Sequence, residues 1–180
     1  MRIWALSIAM LAVAACDSGN VPPPSSQSEL RASTPYVEVD EVALRGDGIT
    51  AGTESFYFAA GQNEVEGALE QALGDPGDKG ENGECGAGAM AFASYPGGLT
   101  VNFQGGSLVG WNWDSDADNI SLNGDYRIGT LRTEIEALDG FVMIEDSTLG
   151  EEFALGDRIG GFFEGDAVSM FYAGTQCFFR

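Results

Sequence analysis

Three runs in which apolar and other residues alternate, Met90/Phe92, Leu99/Val101/Phe103 and Val109/Trp111/Trp113, follow one another between residues 90 and 113. Tyr95-Pro96-Gly97-Gly98 and Gln104-Gly105-Gly106 separate them. Successive side chains of a strand point to opposite sides, so a period of two builds one apolar face. Glycine pairs supply the positive backbone angles of tight hairpins. The segment is expected to be an antiparallel meander, and the rest of the chain must cover its apolar side.

The expected cover is a helix over Glu64–Leu73. Val65, Ala68, Leu69, Ala72 and Leu73 fall on one stripe, Asn63 with Glu66 forms a capping pair, and Gly74 and Pro76 supply the stop. A second helix is expected over Leu131–Leu138, with Leu131, Ile135 and Leu138 on one face and Thr130 as cap. Further strands are predicted over 36–44, before the turn Arg45-Gly46-Asp47-Gly48, and at Ser55–Ala59, Phe141–Ile144, Phe153–Leu155, Ile159–Phe163 and Val168–Tyr172. Asp75–Gly88 reads as a glycine-rich acidic loop. Glu64-Val65-Glu66-Gly67-Ala68-Leu69 lines up with Glu134-Ile135-Glu136-Ala137-Leu138 at an offset of about 70, a weak internal repeat. The expected fold class is α+β: two units of helix plus antiparallel strands, forming one two-layer domain over residues 36–180.

Ahead of that domain, Arg2 and a short apolar run end in Val13-Ala14-Ala15-Cys16. The run falls short of the about 20 residues that cross a bilayer, but it suits a secretory signal over residues 1–15. The last four residues resemble the lipobox of bacterial lipoproteins. The resemblance implies cleavage before Cys16, acylation of that cysteine, anchoring to the lipid bilayer and a cell-envelope location facing the periplasm. Asp17 resembles the inner-membrane retention signal of enteric bacteria; inner and outer membrane both stay open. Residues 16–35 carry Pro22-Pro23-Pro24 and Ser25-Ser26 with little to bury, and read as a tether.

With the signal removed, 7 basic and 28 acidic residues remain. Such a charge repels nucleic acid and anionic headgroups and favours a basic partner, if the domain has one. Cys85 and Cys177 form an even pair in an oxidising compartment, so a disulfide is expected. Closing a loop of about 90 residues restricts the unfolded chain by up to about 4.5 kcal/mol.

Catalysis finds few tools in this composition. The chain has no histidine and its single lysine is Lys79, which removes triads and most zinc chemistry. Gly83-Glu84-Cys85-Gly86-Ala87-Gly88 superficially resembles the nucleophilic cysteine of semialdehyde dehydrogenases, but no dinucleotide fingerprint accompanies it. No catalytic residue and no cofactor is expected; an extracytoplasmic enzyme of unknown chemistry, working through a pair of the plentiful carboxylates, stays open as the alternative. Asp114, Asp116 and Asp118, with Asn119 and Asp125, partly follow the oxygen-ligand spacing of a calcium loop; the plainer reading is a solvated acidic turn. Trp111, Trp113, Phe162 and Phe163 are the aromatics to weigh as either core or partner contacts.

Gly61-Gln62-Asn63-Glu64-Val65 through Leu73-Gly74-Asp75-Pro76 resembles the glycine, helix, Leu-Gly-x-Pro signature of small envelope lipoproteins of the SmpA/OmlA type. The tandem helix-plus-strands plan is similar to the β-lactamase inhibitor protein fold. Both resemblances imply binding of a protein partner and no catalysis.

Overall fold

The computed structural model describes residues 40–123 and 125–178. The expected signal segment 1–15, Cys16, the tether 16–35 and the first part of the strand expected over 36–44 lie outside the described residues. In chain order the elements are β1 (Val42–Arg45), β2 (Gly48–Ala51), β3 (Glu54–Tyr57), α1 (Gln62–Leu73), β4 (Asp78–Asn82), β5 (Met90–Tyr95), β6 (Leu99–Gln104), β7 (Ser107–Trp113), β8 (Ile120–Leu122), α2 (Arg132–Glu136), β9 (Phe141–Met143), β10 (Glu151–Leu155), β11 (Ile159–Glu164) and β12 (Ala167–Gly174).

The α+β expectation is overturned: this is a β-sheet domain with two helices of 12 and 5 residues. The large sheet has eight strands in the order β4-β5-β6-β7-β12-β11-β10-β9, and a second sheet has four in the order β3-β2-β1-β8. Three segments cause the difference. The turn at Arg45–Gly48 closes a hairpin that β3 extends into a separate sheet. Ile120–Leu122, just after the acidic run, pairs parallel with β1. Asp78–Asn82, inside the glycine-rich stretch, adds to β5 as an edge strand through backbone bonds that need no apolar alternation. Its charged side chains also blunt that edge against further pairing.

One face of the large sheet shares a core with the small sheet and the helices, in which Leu44, Ile49, Val65, Leu69, Phe103, Trp111, Trp113, Phe153 and Phe171 are buried. The Trp111 indole N–H donates to the Arg45 carbonyl at 2.9 Å and so ties β7 to β1 across the two sheets. The stripe of α1 packs as expected, but its capping does not. Gly61 is the N-cap without a side-chain bond. Glu66 instead accepts from Gln62 Nε2 at 2.8 Å and from Lys79 Nζ at 2.6 Å, fastening α1 to β4. In α2 the N-cap is Leu131, and the Thr130 hydroxyl donates to the Arg127 carbonyl rather than to the helix.

The repeat is visible in the ladder of the large sheet. Asn112 of β7 pairs with Tyr172 of β12, its own counterpart sixty positions on. The β6–β7 register shifts at Asn102/Phe103 and the β11–β12 register at Phe162/Phe163, again sixty apart. Gly61 before α1 bridges Ser107 at the start of β7, and Leu131 before α2 bridges Ala167 at the start of β12. The offset is therefore seventy at the helices and sixty in the later strands. The shorter second helix accounts for most of the difference.

Tyr95, on the inward face of β5, is buried with its hydroxyl unpartnered. Burial first, then the carboxylates of Glu66 and Glu70, push its phenol well above the ordinary value near 10. A raised folded-state value favours the neutral phenol in the folded chain. That stability is fully present below pH 10 and is lost as pH climbs from there toward the folded-state value. Unfolding free energy measured against pH is expected to fall above about 10, and Tyr95→Phe to flatten that fall. The same substitution removes an unpaired buried hydroxyl, with an expected gain of about 1 kcal/mol at neutral pH. A phenol absorbance titration in which every tyrosine ionises together near its ordinary value, in folded protein, would contradict this.

Candidate binding face

The side of the large sheet turned away from the core carries a different chemistry. Cross-strand pairing places Asp78, Ser94, Thr100, Asn112, Tyr172, Gly160, Ala154 and Val142 in one row over all eight strands. A neighbouring row holds Gly80, Phe92, Asn102, Gly110 and Gly174. Between Asp78 and Val142 the long row has no charged residue, in a chain of net charge −20. Glu152 lies on this side too, but it is fully buried and accepts a hydrogen bond from the Tyr172 hydroxyl. The Tyr172 ring passes over Gly160, where a Cβ would stand 2.0 Å from it. Any larger residue at 160 would therefore displace the ring from Glu152.

Amides, hydroxyls and aromatic rings furnish this face. Ser94 and Thr100 share a hydroxyl–hydroxyl bond of 2.8 Å. Phe162 packs beside Tyr172, their ring centroids 5.7 Å apart. A strap, residues 175–178, then folds back over the sheet. Gly110 and Gly174, paired across β7 and β12, make room for the turn: a Cβ on Gly110 would lie 2.3 Å from the Thr175 carbonyl oxygen. Gln176 accepts from Asn102 Nδ2 at 3.1 Å and donates to the carbonyls of Trp111 at 2.9 Å and Ala173 at 2.7 Å. Phe178 meets Phe162 and Tyr172 edge-on. The expected disulfide joins Cys177 of the strap to Cys85, 92 residues earlier, with their Cα atoms 5.0 Å apart.

The strap divides the face. To one side is a cavity of about 180 Å³ between Asn82, Met90, Phe92, Asn112 and the disulfide. To the other is a groove of about 470 Å³ floored by Phe162 and Met170, with Glu151 and Glu164 at its rim.

No protein-family model, curated protein or solved structure matches this chain. Geometry and sequence thus carry the reading of the face.

Of the aromatics singled out in sequence, Trp111, Trp113 and Phe163 are core residues; Phe162 alone of the four lies on the outward side. Cys85, bonded to Cys177, offers no thiolate to a substrate in this oxidised form. Asp114, Asp116 and Asp118 stand on an exposed loop. Asp118 pairs with Arg127 at 3.6 Å, and among the described residues no three carboxylates or thiols converge as a metal site. Calcium at millimolar concentration is expected to leave the melting temperature unchanged, in wild type and in Asp116→Ala alike. A rise in wild type that Asp116→Ala abolishes would reinstate the loop as a calcium site. Asn112, Tyr172, Gln176 and Phe178 carry no motif in the sequence, where the one signal is the polar Asn112 set between two tryptophans.

Proposed function

We propose that this chain is a lipid-anchored protein of the bacterial envelope, facing the periplasm. Its acidic domain is a non-catalytic binding module that docks a protein partner through the outward face of the large sheet. One observation carries the docking face: the row across its strands that holds no charge beyond Asp78 at its end, in a molecule otherwise dense with carboxylates. Interface centres are depleted of charge and enriched in aromatic residues and methionine, as Phe92, Phe162, Met170, Tyr172 and Phe178 are grouped here. The acidic surroundings favour a partner with basic groups flanking an uncharged contact. The anchor rests on Val13-Ala14-Ala15-Cys16 and on the tether behind it. Among the described residues no helix is long and apolar enough to cross a membrane. The Cys85–Cys177 bond supports export to an oxidising compartment.

The test is a pull-down of the chain, expressed with its own signal, from crosslinked membranes. A reproducible protein partner that is lost when residues 36–180 are deleted, and kept when residues 17–35 are shortened, supports the reading. Recovery of the lipidated chain with no partner contradicts it.

A further inference from the structure

The strap has no counterpart in the other half of the repeat. The positions sixty residues earlier, Ser115 to Asp118, run as a loop toward β8, with Ala117 packed against the core. The repeat therefore does not call for a strap, and its attachment is local. The Thr175 backbone N–H donates to the Val109 carbonyl, and the Thr175 carbonyl accepts a long bond of 3.4 Å from Asn102 Nδ2. Beyond that the strap is held by the side chain of Gln176, the ring contacts of Phe178 and the disulfide. Nor does it fully satisfy what it covers. Asn112 Oδ1, lining the cavity at the strap, is buried without a hydrogen-bond partner. The strap therefore closes over an acceptor that it leaves without a protein partner. Cys177 is half-buried while Cys85 is buried within an exposed glycine-rich loop, so the strap's own sulfur is the one more open to attack.

We propose that residues 175–178 are a redox-latched cover on the sheet face, which a dithiol reductant opens at Cys85–Cys177. A thiolate of the dithiol attacks Cys177 Sγ, the disulfide breaks, and Cys85 leaves as a thiolate. The second thiol of the reductant, deprotonated, then attacks its own sulfur in the mixed disulfide and releases Cys177. Asn82 Nδ2, 3.3 Å from Cys177 Sγ, is placed to donate to the departing thiolate. Two electrons pass to the protein, the dithiol becomes a disulfide, and the two cysteine thiolates take up the protons that its thiols gave up. With the latch open, the strap swings off Asn102 and Asn112 and unites the cavity and the groove into one continuous surface, uncharged at its centre and bordered by Glu151 and Glu164. That consequence for docking rests on the proposed function; the latch itself does not.

Hydrogen exchange on the full chain, oxidised, reduced with dithiothreitol, and as the double variant Cys85→Ser/Cys177→Ser, tests the latch without any partner. The Thr175 amide, which donates to the Val109 carbonyl, is expected to exchange about tenfold faster or more once the bond is gone. Amides of β10 and β11 should be unchanged, and binding of a dye that reports apolar surface should rise. A strap that stays protected in both the reduced and the double-serine protein overturns the proposal, because no latch is then needed. Loss of protection throughout the large sheet also overturns it, because the bond would then be a staple of the whole fold.

Discussion

Trp111→Ala is expected to lower the unfolding free energy by about 4–5 kcal/mol, a large share of the stability of an ordinary domain. Trp111 has no solvent exposure, and truncating a buried tryptophan costs about 3–5 kcal/mol in lost burial and cavity formation. Its indole N–H bond to Arg45 adds about 1 kcal/mol, because the carbonyl left behind is deprived of a partner. The position matters because this bond joins the two sheets. Trp111→Phe, which keeps much of the volume but not the donor, should cost clearly less. Denaturant unfolding of both variants, beside Val142→Ala at an exposed edge as a control expected within about 0.5 kcal/mol, decides the matter. A loss below about 2 kcal/mol for Trp111→Ala would mean that the sheets are joined by something else.

Cys16→Ala is expected to move the protein from the membrane pellet to the soluble fraction. Each buried CH₂ of an acyl chain is worth about 0.8 kcal/mol; one chain gives marginal, reversible binding, and two or more give stable anchoring. Wild type should resist high salt and alkaline washing, because a net charge of −20 offers anionic membranes no electrostatic hold. If Cys16→Ala stays in the washed pellet, or wild type is soluble without it, the anchor assignment fails. The same fractionation separates anchoring from docking, since the folded domain is unaltered in the variant.

Sequence legibility followed apolar periodicity. Val65, Leu69 and Ala72 made α1 visible, and Leu99/Val101/Phe103 with Val109/Trp111/Trp113 made β6 and β7 visible, because each buries one face. The strands that turned an α+β expectation into a β-sheet domain carry no such signal. Asp78–Asn82 is polar throughout and exists through its backbone bonds to β5. Ile120–Leu122 is three residues long and depends on β1, distant in sequence. The repeat is legible at the helices, at an offset of seventy, and hidden in the strands, where the shorter second helix changes the offset to sixty. The disulfide is legible once Cys16 is assigned to the lipid, because that leaves Cys85 and Cys177 as an even pair in an oxidising compartment. The binding face is not. Its members are defined by register between strands, and a row such as Thr100, Asn112 and Tyr172 is scattered along the chain.

Photo-crosslinking from defined positions of the lipidated protein in intact cells is the most direct test of the docking face. A photoreactive phenylalanine analogue would replace Phe92 or Phe162 on the outward sheet face and, for comparison, Gln71 on the exposed side of α1. Discrete protein adducts from Phe92 and Phe162, with none from Gln71, are the expected result. Adducts from Gln71 alone, or no adduct from either sheet position in correctly anchored protein, would contradict the claim that this face docks a protein partner.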